Sequence, residues 1–143
     1  MEPFAIAPMS IEHYGEAYDL WRRTEGIGLS ATDSREATAR YLERNPGLCF
    51  VALAGGHVVG TVMCGFDGRR GYLTHLAVDK AHRRKGFGRA LVERAVDAMV
   101  SQGIIACNLF VLNENVEGRK FWESMGWIAP DYWGVMNRKL IDG

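Results

Sequence analysis

The run Tyr72-Leu73-Thr74-His75-Leu76-Ala77-Val78-Asp79, then Lys80-Ala81-His82-Arg83-Arg84-Lys85, then Gly86-Phe87-Gly88-Arg89-Ala90-Leu91, decides how this chain is read. Its first part is β-rich and apolar, and its second is a cationic turn. The third opens a helix over Gly86 to Gln102, in which Phe87, Ala90, Leu91, Ala95, Ala98 and Met99 recur at helical spacing and Gly103 marks the end. A helix N-terminus leaves backbone N–H groups unpaired and carries a partial positive charge. Gly86 and Gly88 let an anion approach the main chain, and Arg83, Arg84, Lys85 and Arg89 add charge around it. Strand, turn and helix start together read as a cradle for a phosphate or pyrophosphate. The bland alternative is a solvated turn leading into a helix, with glycines placed for geometry alone. Two other phosphate loops are disfavoured: no G-x-x-x-x-G-K-[ST] string occurs, and Leu91 stands where a dinucleotide fingerprint needs its third glycine.

Around this unit the chain has 143 residues, of which 48% are hydrophobic, enough for one domain over 1–143 with a sizeable core. Its 17 Lys+Arg balance 17 Asp+Glu. A net charge of zero argues against a nucleic-acid coat, a polybasic membrane anchor or an acidic tail. The balance is uneven, because no acidic residue falls between Lys80 and Val92. Cys49, Cys64 and Cys107 form no C-x-x-C pair and sit in apolar runs, so they read as buried free thiols in a reducing compartment. No basic segment precedes an apolar leader, and no run reaches the ~18 apolar residues of a membrane span. The expectation is a cytoplasmic protein with no membrane and no nucleic-acid partner. His13 and His57 lack partners at ligand spacing, so no metal is expected.

Phe4 to Pro8 reads as a short first strand. From Ser10, a plausible cap, Ile11, Tyr14, Tyr18 and Trp21 give an amphipathic helix to about Thr24. Asp33 with Glu36 resembles a capping box before a second helix that Asn45-Pro46-Gly47 ends. Leu48 to Ala54 and Val58 to Phe66 are β-rich runs joined by Gly55-Gly56, a hairpin turn. Tyr72 to Val78 is a further strand. Ile104 to Leu112 is almost continuously apolar, as for a central strand buried on both faces. A helix is expected from about Val116 to Met125, stopped by Gly126, and a last strand over Trp133 to Leu140.

The motifs resemble those of the GNAT superfamily of N-acetyltransferases. Arg83-Arg84-Lys85-Gly86-Phe87-Gly88 matches its R/Q-x-x-G-x-G/A signature, and Leu76-Ala77-Val78 matches the end of the strand before it. Asn115, Gly118, Phe121-Trp122 and Met125-Gly126-Trp127 are similar to its N-x-x-A…F/Y-Y…L-G-F/Y segment, so the resemblance covers roughly residues 48–127. It implies a single-domain α/β fold: a mixed, mostly antiparallel sheet flanked by helices, with a V-shaped splay between two central parallel strands. It implies acetyl-CoA as co-substrate, an amine acceptor, and an acyl-CoA-dependent N-acyltransferase working by direct attack in a ternary complex. By that resemblance Arg83, Arg84, Lys85, Gly86, Phe87, Gly88 and Arg89 hold the pyrophosphate, mainly through backbone amides. Leu76, Ala77 and Val78 bond the pantetheine arm along a bulged strand, the Leu76 amide serves as an oxyanion contact, and Asn115 and Trp122 contact the cofactor. Many members dimerise, so a homodimer is open to this chain.

Two positions depart from the family pattern. Trp122 stands where many members place a tyrosine general acid, and indole N–H cannot inherit that role. Tyr72 stands where some relatives place Glu or His as base, and a tyrosine with a pKa of about 10 is a poor base at neutral pH. Thr74, on the same strand face as Tyr72, is a candidate for orienting water. His75 alternates to the other face unless a bulge re-aims it. Glu25 is a candidate ammonium contact or a solvated loop carboxylate. Tyr14, Tyr18, Trp21 and Trp133 suggest an aromatic acceptor wall. The alternative function is a non-catalytic CoA-binding sensor or interaction module.

Overall fold

Val58, Val59, Val62, Met63 and Cys64 form a run with too little polar alternation to leave one face in water, and all are buried. They belong to β3 (His57–Phe66), the middle of a five-stranded sheet with β1 (Phe4–Pro8), β2 (Phe50–Ala54), β4 (Gly71–Val78) and β5 (Cys107–Leu109). The strand order follows the chain, β1 to β5. Pairings from β1 to β4 are antiparallel and β4 pairs β5 in parallel, so the sheet is mixed and mostly antiparallel, flanked by helices as expected. Gly55 and Gly56 turn β2 into β3 with φ of +58° and +81°, a left-handed pair that glycine adopts without steric cost.

This computed structural model describes residues 4–130 and 132–141. They divide into two compact units, Met1–Phe110 and Val111–Gly143. In the first, α1 (Tyr14–Arg22) and α2 (Arg35–Arg44) lie on one face of the sheet and α3 (Phe87–Ser101) on the other. On the α1 side Ala17, Leu20 and Trp21 pack with Val51, Val58, Met63 and Ala77. α3 buries Phe87, Leu91, Val92, Ala95 and Met99. It approaches closely because Gly60 has no side chain: a Cβ there would lie 2.9 Å from Leu91 Cδ1 and 3.2 Å from the Ala77 carbonyl.

Three expectations are corrected. The apolar run 104–112 contributes only Cys107–Leu109 as strand, at the sheet edge. Ile104 is spent on ending α3, its N–H donating to the Met99 carbonyl at 3.0 Å, while Ile105 is 93% exposed. The parallel pair is therefore β4 and an edge strand, not two central strands. Residues 133–140 form no strand, and Trp133, Val135, Met136 and Leu140 are exposed. Asp33 does not cap α2. Ser34 does, its Oγ accepting from the Ala37 N–H at 3.1 Å, while Asp33 closes a 3-10 turn, Ala31–Asp33, that starts at Ser30.

The second unit holds α4 (Val116–Ser124). Asn115 caps it, Oδ1 accepting from the Gly118 N–H at 3.0 Å, and Gly126 at φ +89° ends it as expected. The Trp122 ring meets Phe121 and Trp127 edge-on, at 5.1 and 5.3 Å between centroids.

Candidate functional site

Between Thr61 and Met63 of β3, the partners on β4 step from Ala77 to Thr74, so β4 carries one residue too many. This is a β-bulge, and His75 within it adopts φ +52°. For a residue with a Cβ that conformation costs on the order of 1 kcal/mol and persists only where surroundings fix it. They do so here: the Trp21 indole N–H donates to Thr61 Oγ1 at 2.9 Å, and the Thr61 hydroxyl donates to the His75 carbonyl at 2.7 Å. Both side chains are fully buried.

The extra residue changes the strand's facing. Thr74 pairs with Met63 and faces α1 and α2, and a regular strand would then send His75 to the α3 side. The bulge instead keeps His75 on the α1 side, its ring edge-on to Trp21 at 4.6 Å and its Nε2 2.7 Å from Asp33 Oδ1. The condition set from the sequence is met. Asp33 is itself buried, its Oδ2 accepting from the Ser30 N–H at 2.9 Å and its carbonyl from the Tyr14 hydroxyl at 2.6 Å. Burial raises the Tyr14 pKa above its ordinary value, with Tyr18, Asp33 and Glu36 adding to it.

Past the bulge, the Asp79 N–H donates to the Val59 carbonyl at 2.8 Å, so strand alternation turns Leu76 and Val78 away from β3. The Val78 carbonyl accordingly accepts from Arg83 Nε at 3.0 Å. Pairing with β5 covers only Gly71 to Leu73, so the Leu76 backbone faces the side on which β5 has stopped pairing. An opened edge of this kind offers N–H and C=O groups to an extended ligand.

Beyond β4 a 3-10 turn, Lys80–His82, leads to α3. Arg84 at φ +63° and Gly86 at φ +86° both hold left-handed backbone on either side of Lys85, so the chain turns sharply as it enters α3. No described side chain caps α3 and no acidic residue lies in its first turn, while Arg83, Arg84, Lys85 and Arg89 around its start are all exposed, so its leading N–H groups and dipole are available to an anion. Asp79 anchors the loop: Oδ2 lies 3.0 Å from His82 Nδ1 and Oδ1 3.2 Å from Arg23 Nη2. The His82 hydrogen bond, then Arg23, hold the Asp79 carboxyl below its ordinary range despite partial burial. Phe87 is buried, with Phe4 at 4.2 Å and His82 at 5.7 Å between ring centroids.

The structure thus brings together Leu76, Ala77, Val78 and the segment Arg83 to Arg89 on one strand-to-helix connection. Tyr72 and Thr74 share the α2-facing side of β4. The Tyr41 hydroxyl reaches this side of the sheet beside Gly65, the partner of Tyr72, and burial pushes its pKa upward. Trp21 lies wholly in the core, which removes it from any acceptor wall, and Trp133 is 74% exposed. Glu25 is exposed. Asn115 has committed its carboxamide oxygen to capping α4. Sequence reasoning missed Asp33 and the Trp21–Thr61 support, which lie far from His75 in the chain. Among the described residues no group of three His, Cys, Asp or Glu side chains is placed to hold a metal ion.

N-alpha-acetyltransferase 30 of Xenopus laevis is 39% identical to this chain over 100 residues, 64% of this chain and 36% of that protein. This chain therefore spans little more than a third of that relative. An acetyltransferase of Sodalis glossinidius (strain morsitans) is 28% identical over 131 residues, 92% of each. The crystal structure of PaiA N-acetyltransferase from Thermoplasma acidophilum in complex with coenzyme A has the same fold, with a TM-score of 0.80 at 21% identity, covering 92% of this chain and 94% of that one. Residues 14–127 match the acetyltransferase (GNAT) family. That match takes in most of the chain, from α1 through β4 and α3 to Trp127, and the chain belongs to this family.

Proposed function

We propose that this chain, acting as one N-acetyltransferase domain over 1–143, transfers the acetyl group of acetyl-CoA to a primary amine by direct attack within a ternary complex. The observation that carries the reading is the β4 edge, which loses its β5 partner after Leu73 and runs directly into the cationic start of α3. An extended pantetheine arm fits such an edge, and a pyrophosphate fits the amides and charges from Arg83 to Arg89.

In this reading Leu76, Ala77 and Val78 hydrogen-bond the arm through their main chain. The Leu76 N–H, turned outward by the bulge, stabilises the oxyanion formed as the amine adds to the thioester carbonyl; a single donor of this kind is worth roughly 10²–10³ in rate. Tyr72 and Thr74 line the strand face beside it. Trp122 donates no proton, and none is required of it, because a thiol with a pKa of about 8.5 leaves readily as thiolate. The family resemblance extends the proposed cofactor contacts to Asn115 and Trp122. The name of the Xenopus relative supports the α-amino group of a peptide as acceptor, and the setting proposed is the cytoplasm; among the described residues no helix is long and apolar enough to cross a membrane.

The test is CoA release from acetyl-CoA in the presence of a pool of synthetic peptides with free α-amino groups, beside the same pool with blocked ones. Release with the free pool only, and acetylated peptide by mass, is the expected result. Trp122 in place of a phenol favours the second reading, a CoA-binding module. Acetyl-CoA binding without release in a broader pool of amines decides for that module.

A further inference from the structure

We propose that His75 takes the proton from the acceptor ammonium and that Asp33 positions it to do so. This rests on the acetyl-transfer reading above and adds the base that Tyr72 does not supply. A carboxylate only accepts hydrogen bonds, so the 2.7 Å contact between His75 Nε2 and Asp33 Oδ1 assigns the ring hydrogen to Nε2 and leaves the lone pair on Nδ1. Among the described residues Nδ1 accepts no hydrogen bond, and no buried side-chain nitrogen or oxygen lacks a partner, so Nδ1 opens to solvent. The ring is otherwise fixed, with its side chain 19% exposed and that of Asp33 9%.

Each support has a cause in the fold. Asp33 is held by the Ser30 N–H on Oδ2 and by the Tyr14 hydroxyl on its carbonyl. The His75 backbone is held at φ +52° by Thr61 and, through it, Trp21. A latch joining the 31–33 turn to the sheet needs neither a strained strand residue nor an unengaged ring nitrogen. His75 also immediately precedes Leu76, about 3.8 Å away from Cα to Cα. The bulge therefore sets a proton acceptor on the α1 side of the strand next to the amide that faces the opened edge.

The step balances without a further reactant. An ammonium N–H bond breaks as Nδ1–H forms, and the imidazolium so produced faces the Asp33 carboxylate. The freed amine lone pair forms the C–N bond, and collapse of the adduct breaks C–S. The second nitrogen proton passes to the departing thiolate or to water.

His75→Gly tests this, because glycine adopts φ +52° without steric cost and removes only the imidazole. The measurements are calorimetric binding of CoA and release of CoA from acetyl-CoA with the free-amino peptide pool, with and without added imidazole and with a protein-free imidazole blank. The expected result is CoA affinity within twofold of wild type, kcat at least ~100-fold lower, and substantial recovery of kcat with imidazole. Asp33→Asn is expected to lower kcat less, with CoA affinity likewise kept. His75→Gly retaining kcat within threefold, or losing it with no response to imidazole while CoA still binds, overturns the inference and leaves the transfer reading intact. Absence of CoA binding or release by the wild type overturns both.

Discussion

Arg84 carries a side chain at φ +63°, a conformation glycine adopts freely and arginine does not. If that shape serves anion binding, stability and affinity respond in opposite directions. Arg84→Gly leaves the melting temperature equal or higher, since it relieves on the order of 1 kcal/mol of steric cost, yet weakens acetyl-CoA binding by removing a cation. Arg84→Glu weakens binding by at least tenfold, about 1.4 kcal/mol, by placing an anion beside the pyrophosphate. Thermal melts and titration calorimetry on both variants read the two effects separately. Asp79 gives a pH-dependent counterpart. Its carboxyl pKa is depressed, foremost by the His82 hydrogen bond, so its stabilisation is present above the ordinary carboxylate range and fades as pH falls through the lowered value. Urea denaturation should show Asp79→Asn less stable than wild type at pH 7 and no less stable near pH 2; an equal gap at both contradicts the assignment.

Among the elements, β4 and α3 were legible because their chemistry is local: a β-rich run, a cationic turn, glycines and a helical period stand consecutively in the chain. The bulge was not. One extra residue leaves no trace in composition, and only the mismatch against β3 reveals it. The facing of His75 was therefore open from sequence, and Asp33, read as a helix cap, was hidden as its partner by 42 positions of separation. The runs 104–112 and 133–140 misled for a different reason, since apolar content marks a strand only where a partner covers it. Close packing of α3 on the sheet yields a prediction at this scale. Gly60→Ala places a methyl against Leu91, Ala52 and the Ala77 carbonyl, and the clash with backbone leaves little room to relax. A loss of about 1–3 kcal/mol in urea denaturation is expected. Weaker acetyl-CoA binding should accompany it, because α3 begins at its Gly86 cap and carries Arg89.

For the molecule as a whole, the three cysteines report on integrity. Burial pushes the Cys49 and Cys107 thiols to about 11 and raises Cys64 further. Native protein at about pH 8 should resist alkylation and urea-unfolded protein should take up label at all three, as read by intact mass. CoA release followed with a thiol reagent then needs a protein blank for Cys107, which is only half-buried. The charge balance has a matching feature: 17 cations balance 17 anions, yet an acid-free stretch surrounds one helix start. That suits a small polyanion held at a single place. The direct measurement is a calorimetric titration of wild-type protein with acetyl-CoA. One saturable site per chain is expected, competed by CoA and weakened by Arg84→Glu. No saturable binding, or binding indifferent to Arg84→Glu, contradicts it.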